Sequence, residues 1–170
     1  MKLSKTTRAL VAAILPAGIV LAACQAAAAT ATSHTVQISA KLTVSQTAPP
    51  VCNAGVCVIS NHGTGTLTPY GAVTFTTVVT ADTDQPPCGA GSQWVNRIIR
   101  TITTSKGKLV LHEAGLLCPQ PNVGPQVKAV WAADGADSTG IFAGARGHGS
   151  DTAYPAQNTA GPQGTLTLSN

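Results

Sequence analysis

Arg100 and Glu113 are the two residues whose types and spacing could do chemistry together. An Arg–Glu pair inside an apolar cavity can bind a carboxylate or a hydroxyl group, or hold a water molecule for acid–base work. On the outer surface, the same pair is an ordinary cross-strand salt bridge that contributes about 1 kcal/mol or less to stability. The choice between these interpretations depends on which face of the protein carries the pair.

A hairpin is predicted to bring the two residues together. Residues 93–104 and 108–118 are strand-like and flank a turn whose glycine can supply the positive φ of a tight loop. With Lys106-Gly107 as a two-residue loop, Arg100 faces Glu113. Their face then also carries the apolar side chains Trp94, Ile98, Ile102, Leu109 and Leu111. A register slip of one residue would exchange the two faces, so the inward face stays open.

No other group of residues predicts catalysis or metal binding. The four histidines, His34, His62, His112 and His148, are scattered without the spacing of metal ligands. No serine lies in a nucleophile elbow, and no phosphate-binding loop is present in the sequence. We therefore predict no catalytic residue, no metal and no cofactor.

The cysteines indicate an oxidising compartment. Apart from Cys24, the chain has Cys52, Cys57, Cys88 and Cys118, which predict two disulfides. Cys52 and Cys57 flank the turn-forming Asn53-Ala54-Gly55, so we pair them, and Cys88 pairs with Cys118 by elimination. A zinc site is the less favoured alternative, because no CxxC spacing or nearby histidine accompanies the cysteines.

The N-terminus predicts export. A basic flank and a short apolar stretch precede Leu21-Ala22-Ala23-Cys24, which fits a lipobox, so residues 1–23 are a predicted signal sequence and Cys24 a predicted lipidation site. The lipid would anchor the protein to a membrane in the cell envelope. Ordinary cleavage near the alanines at 26–29 is the alternative, and it would release a secreted protein. Residues 24–33 are a predicted flexible tether.

Charge excludes one class of partner. Of the ten basic residues, three lie in the predicted signal, which leaves seven against six acidic residues. A nearly neutral domain has no basic patch for nucleic acid, and we predict no nucleic-acid partner. Shape and apolar contact are the expected basis of recognition.

The remaining chain, residues 34–170, predicts a single all-β domain. Residues 35–44 alternate apolar and polar side chains, which is typical of a half-buried strand. Eight short strands of this kind favour an eight-stranded antiparallel barrel, with a β-sandwich as the alternative. The predicted strands are residues 35–44, 56–67, 72–81, 93–104, 108–118, 127–133, 145–153 and 164–169.

Three glycine-rich stretches carry a resemblance to a known family. Residues 138–149 (STGIFAGARGHG) resemble the T-G-x-F-A-G-A-x-G-x-G motif of the dirigent-like and allene oxide cyclase-like barrels. Residues 63–71 (GTGTLTPYG) and 164–168 (GTLTL) resemble an early strand and the closing strand of bacterial members. The resemblance covers about residues 60–170. It implies an eight-stranded barrel with a central cavity, and related barrels often form oligomers.

The resemblance implies two kinds of function, since the family contains a cyclase that acts on a fatty-acid epoxide and non-enzymatic dirigent proteins. No set of their working residues maps onto this chain by motif. We expect a non-catalytic module that binds a small apolar ligand or an envelope partner. The alternatives are a cyclase- or isomerase-like enzyme that uses the barrel cavity, and a structural envelope protein without a ligand.

Overall fold

The computed structural model describes residues 32–169. The predicted signal sequence, Cys24 and nearly all of the predicted tether lie outside these residues. Two 3₁₀ turns, Gly140–Phe142 and Pro155–Gln157, accompany ten strands. The strands are β1 (Ser33–Gln46), β2 (Val51–Asn53), β3 (Val56–Thr68), β4 (Gly71–Asp82), β5 (Gln93–Thr104), β6 (Gly107–Gln120), β7 (Gly124–Asp134), β8 (Arg146–Tyr154), β9 (Thr159–Ala160) and β10 (Gln163–Ser169). No helix in this part of the chain is long and apolar enough to cross a membrane.

Eight of the strands close into an antiparallel barrel. The hydrogen-bonded order runs β1-β3-β4-β5-β6-β7-β8-β10 and returns to β1. The predicted barrel is confirmed, and the alternative of a sandwich is wrong because the ladder closes on itself. The short β9 lies between β1 and β8 beyond the start of β10, and β2 forms a small hairpin with β3.

Alternation of side chains creates the interior. In β1, Ile38, Ala40 and Leu42 are buried, whereas the residues between them are exposed to solvent. A strand with this period of two places every second side chain in the barrel and the others outside. The eight predicted strands correspond to the eight barrel strands for this reason.

The hairpin between β5 and β6 differs from the prediction in its register. Thr104 pairs with Gly107, so the loop is Ser105-Lys106 rather than Lys106-Gly107, and Arg100 faces Leu111. The Thr104 hydroxyl fixes this turn, because it donates to the Gly107 carbonyl oxygen at 3.0 Å and accepts from the Lys106 amide at 3.0 Å. Glu113 faces Ile98 instead of Arg100. The predicted and observed registers differ by two positions, so Arg100 and Glu113 still lie on the same face of the hairpin.

A bulge in β5 corrects a second detail. Val95 pairs with Gly115 and Ile98 with Glu113, so β5 holds one more residue than β6 between these pairs. The extra residue reverses the alternation. Val95 therefore points inward, and Trp94, predicted on the same face as Arg100 and Glu113, is 44% exposed.

The interior is divided into two clusters. One fills the end of the barrel where β1 begins, and we call this the closed end. It contains the fully buried Leu67, Ile102, Leu109, Leu111, Phe142 and Leu166. The other cluster, at the opposite or open end, is small and consists of Val95, Ile98, Val127 and Ala129.

The connection between β7 and β8 plugs the closed end. Its 3₁₀ turn places Phe142 in the interior with 0% exposure, where the ring meets Tyr70 edge to face at 4.9 Å. Two backbone hydrogen bonds, from Thr139 to Lys108 and from Ile141 to Lys106, hold this segment against the β5–β6 hairpin. Gly140 adopts a φ of +63°, and a Cβ there would meet the Lys106 carbonyl oxygen at 2.1 Å. This glycine of the 138–149 motif thus permits the plug.

The open end carries both disulfides. Cys52 and Cys57 join β2 to β3, with Cα atoms 4.0 Å apart, and Cys88 joins the β4–β5 loop to Cys118 near the end of β6, at 5.8 Å. Both predicted pairings are confirmed. Two disulfides are typical of a protein outside the cytoplasm.

Candidate functional site

A cavity of about 310 Å³ occupies the open end of the barrel. Its wall is mainly apolar and uses small or branched side chains, among them Ile59, Val79, Ala81, Val95 and Val127. Protein interiors are normally packed with few voids larger than one water molecule. A cavity of this size above a fully packed core is therefore the main candidate for a binding site.

A buried ionic triad forms the floor of the cavity. The Arg100 guanidinium donates from Nε to Glu113 Oε1 at 2.6 Å and from Nη2 to Glu113 Oε2 at 3.2 Å. Nη2 also donates to Asp151 Oδ2 at 2.5 Å. These three side chains come from β5, β6 and β8 and are at most 4% exposed. The structure therefore places the predicted pair Arg100–Glu113 inside the barrel and adds a third member.

The triad separates the packed half of the barrel from the empty half. Arg100 and Asp151 belong to the lining of the cavity and Glu113 does not, although the side chains of Asp151 and Glu113 both have an exposure of 0%. The Phe75 ring of the closed-end cluster lies 5.8 Å from the Arg100 guanidinium carbon, a contact that suits a desolvated cation.

Burial and the neighbouring charges set the protonation of the triad. Burial disfavours the charge on Arg100, but the nearby carboxylates of Glu113 and Asp151 outweigh this effect and raise the pKa of Arg100. Burial also raises the pKa of Glu113 to about 7, against the opposing attraction of Arg100. With both carboxylates ionised, the triad carries one net negative charge.

One nitrogen of Arg100 has no side-chain partner among the described residues. Within residues 32–169, Nε and Nη2 use their hydrogen bonds on Glu113 and Asp151, whereas Nη1 donates to no side chain. No buried side-chain nitrogen or oxygen in the described part of the chain lacks a partner. Nη1 is therefore not fully enclosed by protein, and the cavity is the space that Arg100 lines.

Asp151 links the floor to the segment that covers one side of the opening. Its Oδ1 atom accepts a hydrogen bond from the Gly161 amide at 3.0 Å, and its Oδ2 atom accepts from Arg100. Residues 155–160 follow β8 and contribute Pro155, Asn158 and Thr159 to the lining. The Asn158 carbonyl accepts from the Val44 amide of β1 at 2.8 Å, which holds this segment in place.

The wall has one further polar pair. Asn61 Nδ2 donates to Thr77 Oγ1 at 3.1 Å, and both residues line the cavity. They come from β3 and β4, on the wall adjacent to β5. The cavity thus combines an apolar wall, the amide of Asn61 and the charged floor.

Asp151 is the member of the site that sequence analysis missed. The signal was available, because Gly149, Asp151 and Ala153 share one face of the predicted strand 145–153. If Gly149 and Ala153 are assigned to the interior, Asp151 must point into the interior as well. A Cβ at Gly149 would lie 2.5 Å from Trp131 Cζ2. The indole of Trp131 thus occupies the space beside this glycine, and Gly149 faces the interior.

The histidines are placed on the outer wall or near it. His112 Nε2 lies 3.4 Å from Asp134 Oδ2, and Asp137 is close enough for the three to offer ligand atoms within 4.8 Å of one another. An exposed groove of about 520 Å³ beside them also contains Arg146. The sequence did not place these residues together, since Asp134 and Asp137 reach His112 only through the pairing of β6 with β7.

Comparison with known proteins gives no relative. No protein-family model, no curated protein and no solved structure matches this chain. The site must therefore be interpreted from its own geometry.

Proposed function

We propose that this protein is an exported, lipid-anchored barrel that binds a small apolar ligand in its open end and does not transform it. The apolar cavity above the Arg100–Glu113–Asp151 floor carries this proposal. Each CH₂ group moved from water into such a cavity contributes about 0.8 kcal/mol to binding. The resemblance of residues 60–170 to dirigent-like and allene oxide cyclase-like barrels supports a ligand in the same space.

The disulfides support the cellular part of the proposal. Both cross-links lie at the open end, and such bonds persist in compartments outside the cytoplasm. A lipid on Cys24 would then tether the barrel to the membrane surface. Mass spectrometry of the protein isolated from an exporting host measures the lipid directly, and a chain that starts after the alanines at 26–29 would contradict it.

A cyclase- or isomerase-like activity is the second candidate, and one observation favours it. Glu113 is buried beside Arg100 with a pKa of about 7, a value suited to proton transfer near neutral pH. However, Glu113 does not line the cavity. A proton would have to reach the ligand through Asp151, because the Arg100 guanidinium stays protonated, so binding without turnover is the better supported function.

Filling the cavity tests the proposal. Val79 and Val78 are neighbours on β4, but Val79 lines the cavity whereas Val78 is 45% exposed on the outer wall. We expect Val79→Phe to abolish binding of octanol and Val78→Phe to leave it unchanged. Isothermal titration calorimetry of the full chain, produced in an oxidising compartment, measures both affinities.

Two results would contradict a binding function in the cavity. The first is octanol that binds equally well to Val79→Phe, which would place the ligand elsewhere. The second is wild-type protein that binds no apolar probe at all. Near-ultraviolet circular dichroism of the variants provides the control for folding.

A further inference from the structure

The charge balance of the floor carries an inference about the ligand. Arg100 supplies one positive charge, and Glu113 and Asp151 together supply two negative charges when both are ionised. The cation is thus already neutralised by protein groups. An anionic ligand would add a third negative charge to a site with low exposure to water, where such a charge is costly.

The same floor offers a hydrogen-bond donor to a ligand. Nη1 of Arg100 makes no side-chain hydrogen bond within the described residues, and the guanidinium is a fixed fork of donors. The Asp151 side chain has an exposure of 0% and uses its two oxygens on Arg100 and Gly161, so it offers no acceptor to a ligand. The oxygen of an alcohol or a ketone can accept a hydrogen bond from Nη1 without bringing a charge. A carboxylate can also accept this hydrogen bond, but it adds a third negative charge to the floor.

We infer that the cavity selects a neutral ligand with an acceptor oxygen, such as an alcohol or a ketone, with its apolar body against the wall and its oxygen on Arg100, and that it discriminates against the corresponding carboxylate. This inference rests on the proposed function, because it concerns the ligand of the same cavity. The Asn61–Thr77 pair lies on the wall next to the floor and can accommodate a second oxygen on the same ligand.

A comparison of matched probes tests the inference. Octanol, octanone and octanoate share an apolar chain and differ in the polar end. At pH 8, where Glu113 is ionised, we expect octanol and octanone each to bind about tenfold or more tightly than octanoate, since one unbalanced buried charge is worth at least a factor of about ten. Isothermal titration calorimetry of the wild-type full chain suffices for this comparison.

A variant identifies the cause of the discrimination. Glu113→Gln removes one negative charge behind Arg100 without changing the shape of the side chain. We expect it to tighten octanoate binding about tenfold relative to octanol binding. Asp137→Asn removes one acidic charge from the exposed turn after β7, far from the lining, and should change neither affinity.

The outcomes separate the inference from the function on which it rests. Equal affinities for octanol and octanoate, or tighter octanoate, overturn the inference and leave the apolar binding function in place. If no probe binds, both are overturned. If Glu113→Gln does not fold, the wild-type comparison still decides between the alcohol and the carboxylate.

Discussion

The closed and open ends of the barrel use the same eight strands but are stabilised in different ways. The closed end is filled by large side chains, including Phe142, Leu67 and Leu166, each with 0% exposure. The open end has mainly small and branched apolar residues around a cavity of about 310 Å³, and both disulfides lie there. The side chains around a cavity make fewer van der Waals contacts than those in a packed core, which lowers stability. The two disulfides at the open end offset that loss.

The closed end should respond most strongly to loss of a side chain. Phe142→Ala removes the buried ring that plugs the barrel, and we expect the free energy of unfolding to fall by about 3 to 5 kcal/mol. Ile141→Ala, at the neighbouring residue that is 38% exposed, should cost much less. Urea denaturation at pH 7 measures both. If the comparison of the two ends is right, octanol affinity of folded Phe142→Ala stays within about twofold of the wild type.

The loss of stability on removal of a disulfide should increase with the length of the loop that the disulfide closes. Replacing Cys88 and Cys118 together by serine opens a loop with a sequence separation of 30, and the same change at Cys52 and Cys57 opens one of 5. The chain-entropy argument gives losses of about 4 and about 2 kcal/mol, respectively. Thermal unfolding of the two double variants checks the order. A larger loss for the short loop would show that the cross-links act through local geometry instead.

The triad between the two ends should give a distinctive dependence on pH. The pKa of Glu113 rises from 4.5 to about 7 on folding because the carboxyl group is buried. Because the folded protein holds the Glu113 proton more tightly than the unfolded chain does, protonated Glu113 contributes fully to stability below pH 4.5. This contribution falls as the pH rises above 4.5, and it is lost once the pH has passed about 7. Between pH 5 and 8, the wild type should lose on the order of 2 to 3 kcal/mol that Glu113→Gln does not lose.

Urea denaturation at several pH values tests this dependence, with Asp137→Asn as a control that keeps the wild-type slope. A wild-type stability that is flat or rises over this range would contradict the prediction. It would mean that Arg100 holds Glu113 ionised despite its burial.

Much of the fold was predictable because its signals are local. Alternation in residues 35–44 and the turn glycine of the β5–β6 hairpin depend only on neighbours in the sequence, and they led to the correct eight strands. The bulge after Val95 was not predictable, because it depends on the pairing of β5 with both β4 and β6. It moved Trp94 to the outer wall, away from the face that the predicted alternation had assigned to Trp94, Arg100 and Glu113 together.

The candidate site was predictable only in part. Arg100 and Glu113 were found together because a two-residue error in register preserves the face of every side chain. Asp151 is separated from Arg100 by 51 residues, and their contact depends on barrel closure. The cavity itself was expected from the family resemblance alone, since strand patterns do not show where side chains are too small to fill a barrel.

The most direct test of the account locates a bound ligand within the barrel. In a nuclear magnetic resonance titration of the full chain with octanol, we expect shifts at the amides of Ala81, Val95, Val127 and Ala153, which line the cavity. The amides of Leu67, Phe142 and Leu166 at the closed end should stay unchanged. Shifts centred on the closed end or on the outer wall, or no shifts at all, would contradict the central claim that the open end is a binding site.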